Sequence, residues 1–152
     1  MATSEFQVVI CQIGDEGYGL DIGSVYEIIR FQESTAVPTA PGFVDGVINL
    51  RGRIIPVVDL SSRFGMSRSA TTKSTRIIVA DAAGMQVGLV VDAVTEVLML
   101  CEEAVEQTPG VASGNESAYI RGIAKLAGQL VILLDLSALF AEEIAAAQAI
   151  AA

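Results

Sequence analysis

Residues 46–64, GVINLRGRIIPVVDLSSRF, determine the architecture of this chain, because the chain contains a second version of them. The second version, GIAKLAGQLVILLDLSALF, occupies residues 122–140 and is identical at seven of the 19 positions. A further pair of segments matches in the same order, YGLDIGSVYEII at 18–29 with VGLVVDAVTEVL at 87–98. Two long matches in one order indicate a duplicated unit.

The two copies run over about residues 5–65 and 75–140, as subdomains of a single predicted domain, residues 1–152. The linker between them, about residues 66–74, is rich in Ser and Thr, which favours an exposed connection. Each copy contains an apolar run, a Gly-rich turn, a second run, a loop and a second hairpin. Four or five short Val- and Ile-rich strands per copy predict a small β-barrel, and the short linker predicts a shared hydrophobic core.

The end of the chain follows a helical period instead. From about residue 137 to 150, apolar residues recur three to four positions apart among Ala and Glu, at Leu139, Phe140, Ile144 and Ala147. This spacing predicts a C-terminal amphipathic helix. The predicted fold class is therefore mainly β, with this helix at its end.

The charge and composition of the chain exclude several classes of function. With 152 residues, 18 acidic and nine basic, the net charge is −9, which opposes binding to nucleic acid or an anionic membrane. The chain has no histidine, so it cannot hold a Ser-His-Asp or Cys-His catalytic set or a His-ligated metal. Nucleotide-binding loops and acidic clusters with metal-ligand spacing are also missing from the sequence. We predict no catalytic residue, no cofactor and no metal; an enzyme with an unfamiliar acid-only site is the open alternative.

The cysteines and the N-terminus indicate the compartment. Cys11 and Cys101 lie 90 positions apart and are interpreted as small buried hydrophobes of a reducing compartment, with a disulfide or redox pair as the alternative. The N-terminus lacks the basic flank of a signal peptide, and no run of about 20 uninterrupted apolar residues exists to cross a membrane. These features predict a cytoplasmic protein.

Polar or glycine positions that both copies keep are predicted to serve the fold. Asp59 and Asp135 each precede Leu-Ser and are expected to cap a helix N-terminus. Gly52 and Gly128 are expected to occupy turns with a left-handed backbone.

Arg51 is a polar position that the copies do not share, because Ala127 takes its place. The second copy builds the same turn without a guanidinium, so Arg51 is available for function and offers five donors at a hairpin tip. Six of the nine basic residues lie between positions 51 and 76, where Asp59 is the only acid. Such a basic strip fits an acidic patch on a protein partner.

The segment GVINLRGRIIPVVDL at 46–60, with YGLDIGSVYEI at 18–28 and VGLVVDAVTEV at 87–97, resembles the CheW family of bacterial chemotaxis coupling proteins. The resemblance extends over about residues 5–140. It implies two tandem SH3-like five-stranded β-barrels packed on a common hydrophobic core. It also implies a stand-alone adaptor, since the chain has no kinase core, receiver domain or histidine.

Proteins of this family join the cytoplasmic tips of methyl-accepting chemoreceptors to the regulatory domain of the histidine kinase CheA, and the resemblance implies both partners here. It implies a monomer when free, which is recruited into large arrays at the inner membrane without direct membrane insertion. The implied contact residues are Val25, Glu27, Gly46, Asn49, Arg51, Ile77, Gly88 and Val94. A receptor helix is expected to dock on Val25, Ile28 and Val94 between the barrels. Because Glu96 repeats Glu27, a structural role for Glu27 stays open.

Two alternatives for the function are open at this point. A coupling protein of another chemosensory system, governing pili or second-messenger output, would have the same fold and contacts. A small SH3-like nucleic-acid-binding protein is the other, although the net charge of −9 and 5% aromatic residues oppose it.

Overall fold

A computed structural model of the chain describes residues 5–35, 44–63, 71–106, 120–126 and 128–140. Within these residues there are eleven strands and two four-residue helices. The strands are β1 (Glu5–Ile13), β2 (Glu16–Asp21), β3 (Val25–Arg30), β4 (Val44–Leu50), β5 (Arg53–Asp59), β6 (Arg76–Ala82), β7 (Met85–Val91), β8 (Ala93–Cys101), β9 (Val105–Glu106), β10 (Ile120–Leu126) and β11 (Gln129–Leu134). The α-helices are α1 (Leu60–Arg63) and α2 (Leu136–Leu139), and two three-residue 3-10 turns lie at Ile22–Ser24 and Glu102–Ala104. The prediction of a mainly β fold is confirmed.

Both helices begin directly after one of the repeated aspartates. A carboxylate oxygen of Asp59 accepts a hydrogen bond from the Ser61 amide at 2.9 Å. A carboxylate oxygen of Asp135 accepts one from the Ala138 amide at 3.2 Å. These bonds satisfy amides that a first helical turn leaves unpaired, so the predicted capping role is confirmed.

The predicted C-terminal helix over 137–150 overlaps α2 in its first turn. From residue 141 onward it lies outside the described residues, so the amphipathic helix stays a prediction. Neither described helix has the length or the apolar run that a membrane span requires.

The strands form two sheets. The six-stranded sheet has the order β8-β1-β2-β11-β10-β9, and the five-stranded sheet has the order β3-β6-β7-β5-β4. The four predicted hairpins, β1–β2, β4–β5, β6–β7 and β10–β11, are all antiparallel pairs. Two parallel pairs complete the sheets, β2 beside β11 and β5 beside β7.

The two copies of the repeat exchange their first hairpins. β1–β2 of the first copy lies between β8 and β11 of the second copy, and β6–β7 of the second copy lies between β3 and β5 of the first. Each sheet therefore contains strands of both copies. The division into subdomains at about 5–65 and 75–140 stays a prediction. It describes the two copies of the repeat in the sequence, whereas each hydrogen-bonded sheet combines strands from both copies.

The short connection between β7 and β8 explains this exchange. One residue, Asp92, separates Val91 from Ala93, so the two strand ends are at most about 7 Å apart. If β8 instead paired with β6, in the sheet that contains the β6–β7 hairpin, it would lie two strand spacings, about 10 Å, from β7. The chain therefore passes directly into the other sheet. There the Asp92 carboxylate accepts a hydrogen bond from the Gly14 amide at 2.7 Å, and its amide donates to the Gln12 carbonyl at 2.9 Å.

Gly19 and Gly88, which the two copies share, lie where each exchanged hairpin meets the other copy. In the parallel register Gly19 is opposite Leu133, and Gly88 is opposite Val57. A Cβ on Gly19 would lie 2.7 Å from Leu133 Cδ2, and a Cβ on Gly88 would lie 3.2 Å from a methyl of Val57. The packing favours glycine at both positions, because an added side chain would crowd a side chain of the neighbouring strand.

One buried cluster joins the two sheets. It contains Val9 and Leu20 of the six-stranded sheet, Ile78 and Leu89 of the five-stranded sheet, and Phe140 after α2, each at most 1% exposed. A smaller buried cluster lies within each sheet. The joint cluster stabilises both sheets, because each alone would bury too little apolar surface.

The two cysteines differ in burial. Cys11 is completely buried in the joint cluster, Cys101 is half-buried, and both are free thiols. Burial raises the pKa of the Cys11 thiol to about 12, which keeps the thiol protonated and unreactive at neutral pH. The interpretation as a buried hydrophobe is confirmed for Cys11.

Candidate protein-binding site

The candidate site is built on the hairpin between β4 and β5. Leu50 pairs with Arg53, which leaves Arg51 and Gly52 as a two-residue turn. Both turn residues have a left-handed backbone, with φ of 53° and 86°. Such a type I′ turn matches the twist of the strands and favours Asn or Gly at its first position, where this chain has Arg51. Gly128 in the second copy has φ of 81°, so both predicted glycine turns are confirmed.

Asn49 supports this turn from the end of β4. Its side-chain carbonyl accepts a hydrogen bond from the Gly52 amide at 2.9 Å. Lys125 takes its place in the second copy and cannot accept such a bond. Asn49 is itself exposed, so it both shapes the hairpin and lies on the surface.

Arg51 reaches from the hairpin tip to Glu27 on β3. Arg51 Nη1 donates to Glu27 Oε2 at 2.5 Å, and the side chains are 72% and 30% exposed. The hydrogen bond from Arg51 lowers the pKa of Glu27, and the same bond raises the pKa of Arg51. Glu27 thereby orients the guanidinium, whose other donors are left for a partner. The contact gives Glu27 a structural role, and its part in partner binding stays a prediction.

The Glu27–Arg51 pair predicts a pH dependence of stability. Because the pKa of Glu27 is lower in the folded chain, the pair stabilises the fold above the ordinary glutamate pKa, and this stabilisation is lost as the pH falls through the folded pKa. We expect Glu27→Gln to melt slightly below the parent chain at about pH 7, because the pair is exposed, and this difference to shrink as the pH falls toward about 3. Thermal scans across this range measure the difference, and a constant difference would contradict the prediction. Glu96→Gln, at the repeated position, gives the baseline.

A cavity of about 560 Å³ lies beside this ion pair. Its lining includes Tyr26, Glu27, Arg51, Arg53, Val79 and Gln86. Large apolar side chains on the neighbouring strands are exposed, Tyr26 by 57%, Ile28 by 39% and Ile54 by 64%. Exposed apolar surface beside a charged pair is typical of a protein-binding surface.

The edge strands β3 and β8 carry other half-buried residues that the resemblance predicts to contact a partner. Val25 begins β3, Val94 lies on β8, and both pack against the cluster that joins the sheets. Ile28 lies further along β3 and is exposed. Val25 and Val94 therefore reach the region where the two sheets meet, one from each sheet.

The remaining sequence-predicted residues are buried. Ile77 is fully buried in the five-stranded sheet, and a Cβ on Gly88 would lie 3.1 Å from its Cγ2. Gly46 is buried at a β-bulge, next to the bridge between Thr35 and Val47. Any effect of these three residues on partner binding would be indirect, because their packing sets the shape of the sheet.

We expect Gly46→Ala to destabilise the fold by about 2 kcal/mol, because the added methyl overlaps backbone. A Cβ on Gly46 would lie 2.8 Å from the carbonyl carbon of Thr35. The strand cannot shift easily, since Thr35 and Val47 exchange two hydrogen bonds of 2.8 and 2.9 Å. Urea unfolding measures the loss. Gly17→Ala is the control, because the nearest atoms to its Cβ would be 3.8 Å away; equal losses in both variants would contradict this account.

Sequence reasoning did not place Tyr26, Ile54 or Gln86 on this surface. The outward positions of β3 are Tyr26, Ile28 and Arg30, and strand alternation alone would have indicated Tyr26. Ile54 is likewise an outward residue at the start of β5. Gln86 reaches the cavity from the exchanged hairpin β6–β7, a relation that no local pattern reveals.

The repeat places an equivalent cavity of about 590 Å³ on the six-stranded sheet. Its charged lining residues are Asp15, Glu16 and Glu96, and Gln129 stands where the first cavity has Arg53. The two equivalent surfaces therefore differ in charge. Among the described residues, no three acidic or cysteine side chains are placed to hold a metal ion together.

The family description CheW-like domain matches residues 7–143, which include both copies of the repeat. The chain belongs to the CheW family. It is 38% identical over 136 residues to a probable chemotaxis protein CheW of Rhizobium etli, covering 90% of this chain and 88% of that protein. It is 36% identical over 137 residues to the chemotaxis protein CheW of Rhizobium meliloti, covering 90% and 88%.

A solved structure of the family has the same fold. The chain is 39% identical to the scaffolding protein TtCheW from Thermoanaerobacter tengcongensis and superposes with a TM-score of 0.83. The match covers 91% of this chain and 90% of that one. The family that residues 46–60 predict is confirmed.

Proposed function

We propose that this chain is a non-catalytic coupling protein, which joins the cytoplasmic tips of chemoreceptors to the regulatory domain of the histidine kinase CheA. The observation that carries the proposal is Arg51, an exposed guanidinium that Glu27 orients from a left-handed turn position. Backbone strain of this kind clusters at functional sites, where a partner requires the side chain. The relatives are named as chemotaxis and scaffolding proteins.

On the receptor side, the proposed contact is a helix that docks where the two sheets meet. Val25 and Val94 supply apolar surface from the two edge strands, and Ile28 extends it along β3. Arg51 adds charge-assisted hydrogen bonds at one end. Micromolar affinity corresponds to about −8 kcal/mol, which a modest apolar patch with a few such bonds supplies.

On the kinase side, the proposed contact uses the two equivalent cavities. Ile54 on β5 and Leu130 on β11 occupy matching positions in the repeat and are 64% and 53% exposed. The resemblance implies a matching fold in the CheA regulatory domain. A partner with such a fold can therefore present its own apolar strand positions to one of these surfaces, and charge selects the orientation.

The proposal extends to the finer fold and to the place in the cell. We propose that each sheet closes as an SH3-like barrel, that residues 137–150 form a helix, and that the chain is a cytoplasmic monomer until arrays at the inner membrane recruit it. Register shifts in β1, β3, β4 and β10 support closure, because β-bulges bend and twist a sheet.

Co-purification tests the proposed function. The chain is mixed with a CheA regulatory domain, with a receptor cytoplasmic fragment, or with both, and the mixtures are separated by size exclusion. We expect a monomer alone and a complex with each partner, without added metal or nucleotide. Receptor fragments from a flagellar and from a pilus-controlling array distinguish the two kinds of chemosensory system. Absence of binding to every partner would overturn the proposal.

A further inference from the structure

A second basic surface lies apart from the Arg51 hairpin. Arg51 and Arg53 line the cavity beside Glu27, whereas Lys73 and Arg76 line a different cavity of about 440 Å³. The basic residues between positions 51 and 76 are thus not one strip. The lining of this second cavity, which we name the Arg30 pocket, includes Arg30, Phe31, Thr72, Lys73, Thr75 and Arg76.

Among the described residues, the Arg30 pocket concentrates positive charge without an acidic partner. Arg30 and Arg76 are directly opposite each other on β3 and β6, where like charges destabilise strand pairing. No described acid lines the pocket, and the ion pairs of the described residues include neither these arginines nor Lys73. Of the acids nearest to Arg30 in sequence, Glu27 is engaged in its ion pair and Glu33 is exposed. Three cations thus face one cavity in a chain of net charge −9.

The Arg76 side of the pocket is also held in shape before any ligand binds. Arg76 Nη1 donates to the carbonyls of Lys73 and Thr75 at 2.7 and 2.9 Å, which leaves its Nη2 and Nε donors for another acceptor. The preceding loop closes on itself, since Thr75 Oγ1 accepts from the Thr72 amide and Thr72 Oγ1 accepts from the Ser74 amide. Donors fixed in this way lose little freedom when they bind an anion.

We infer that the Arg30 pocket binds a phosphoryl-bearing anion, whose oxygens lie between Arg30, Lys73 and Arg76. A phosphoryl group carries a charge of about −2 and several acceptor oxygens, which matches two guanidinium groups and an ammonium better than one carboxylate does. The cavity exceeds the size of a single phosphate, so an organic part of the anion can lie against the half-buried ring of Phe31. This inference does not rest on the proposed coupling function, because the pocket shares no lining residue with the Arg51 cavity.

Melting temperatures in inorganic phosphate, against chloride of equal ionic strength, test the pocket. A ligand of the folded state raises the midpoint as its concentration exceeds the Kd. We expect this rise for the parent chain, with an affinity about tenfold weaker in Arg30→Gln and in Lys73→Gln. Arg53→Gln removes the same charge from the other cavity and should keep the parental affinity. An equal rise in all four chains would be a general salt effect and would overturn the inference.

Arg30→Gln gives a second signature. In chloride the substitution removes the repulsion between β3 and β6, so this variant should melt at or above the parent temperature. In phosphate the parent should melt higher, because it binds the anion. A variant that melts below the parent by the same amount in both buffers would assign Arg30 to packing and would overturn the inference.

Soluble phosphate esters and phospholipid head groups share this chemistry, and two probes separate them. Titration with adenosine monophosphate measures the soluble source, and sedimentation with phosphatidylglycerol vesicles measures the lipid source. Binding to either probe that Arg30→Gln weakens and Arg53→Gln keeps supports the pocket and identifies the source. A glutamate-rich peptide that displaces phosphate and binds more tightly would overturn the inference, because it would assign the pocket to an acidic protein segment.

Discussion

A chain divided within residues 66–74 should give two pieces that do not fold separately. The first piece has β3, β4 and β5 but lacks β6–β7, which lies between β3 and β5. The second piece lacks β1–β2, which lies between β8 and β11. The second piece cannot place its own β6–β7 hairpin between β8 and β11 instead, because the single-residue connection after β7 does not reach across two strand spacings. Each piece would therefore expose the joint core.

Circular dichroism and thermal scans measure this expectation. We expect no cooperative transition for either piece alone and a transition near that of the intact chain when equal amounts are mixed. A protease site placed in the linker of the intact chain is the matched control. Cleavage after folding should leave one species on size exclusion, because the exchanged hairpins hold the pieces together. A separate piece with its own cooperative transition would contradict the hairpin exchange.

Arg51→Ala should weaken binding to the receptor fragment or to the CheA regulatory domain by about 30-fold, with little change in melting temperature. The guanidinium is exposed and its ion pair lies at the surface, so the fold depends little on it. The partner loses several donors that no other residue at the hairpin tip supplies. Isothermal titration with each partner and a thermal scan measure the two effects.

Arg51→Asn distinguishes an effect on binding from an effect on stability more clearly than Arg51→Ala does. Asn tolerates the left-handed backbone that Arg51 adopts, so we expect the melting temperature to rise by about 2 °C while binding is lost as in Arg51→Ala. Lys125→Ala is the matched control, because it removes an exposed cation from the equivalent hairpin of the other sheet. Full binding by either Arg51 variant, or an unfolded protein, would contradict the role assigned to this side chain.

Much of the fold could be predicted because its signals are local. Apolar runs and Gly-rich turns indicated the hairpins, and the repeat indicated that both copies are built alike. Asp59 and Asp135 indicated helix starts because a cap depends on residues only two or three positions away. The asymmetry between Arg51 and Ala127 likewise indicated an exposed side chain that the turn itself does not require.

The site could be predicted less completely, because it depends on contacts between distant segments. Glu27 was a candidate, but its partner 24 positions away was not predicted. The basic residues between 51 and 76 formed one strip in sequence, whereas the sheets place Arg53 and Arg76 in different cavities. Arg30 joins Arg76 because β3 pairs with a hairpin of the other copy.

By itself, the amino-acid sequence determined the class of fold, the duplicated unit, the turns and caps, and the family. These follow from periodicity, backbone preference and short-range hydrogen bonds, which depend on residues close together in the sequence. The exchange of hairpins, the Glu27–Arg51 contact and the Arg30 pocket came from the tertiary structure. They depend on which strands share a sheet. The spacing between strands, the length of the connections and the burial of the joint core determine this arrangement, and all three involve residues far apart in the sequence.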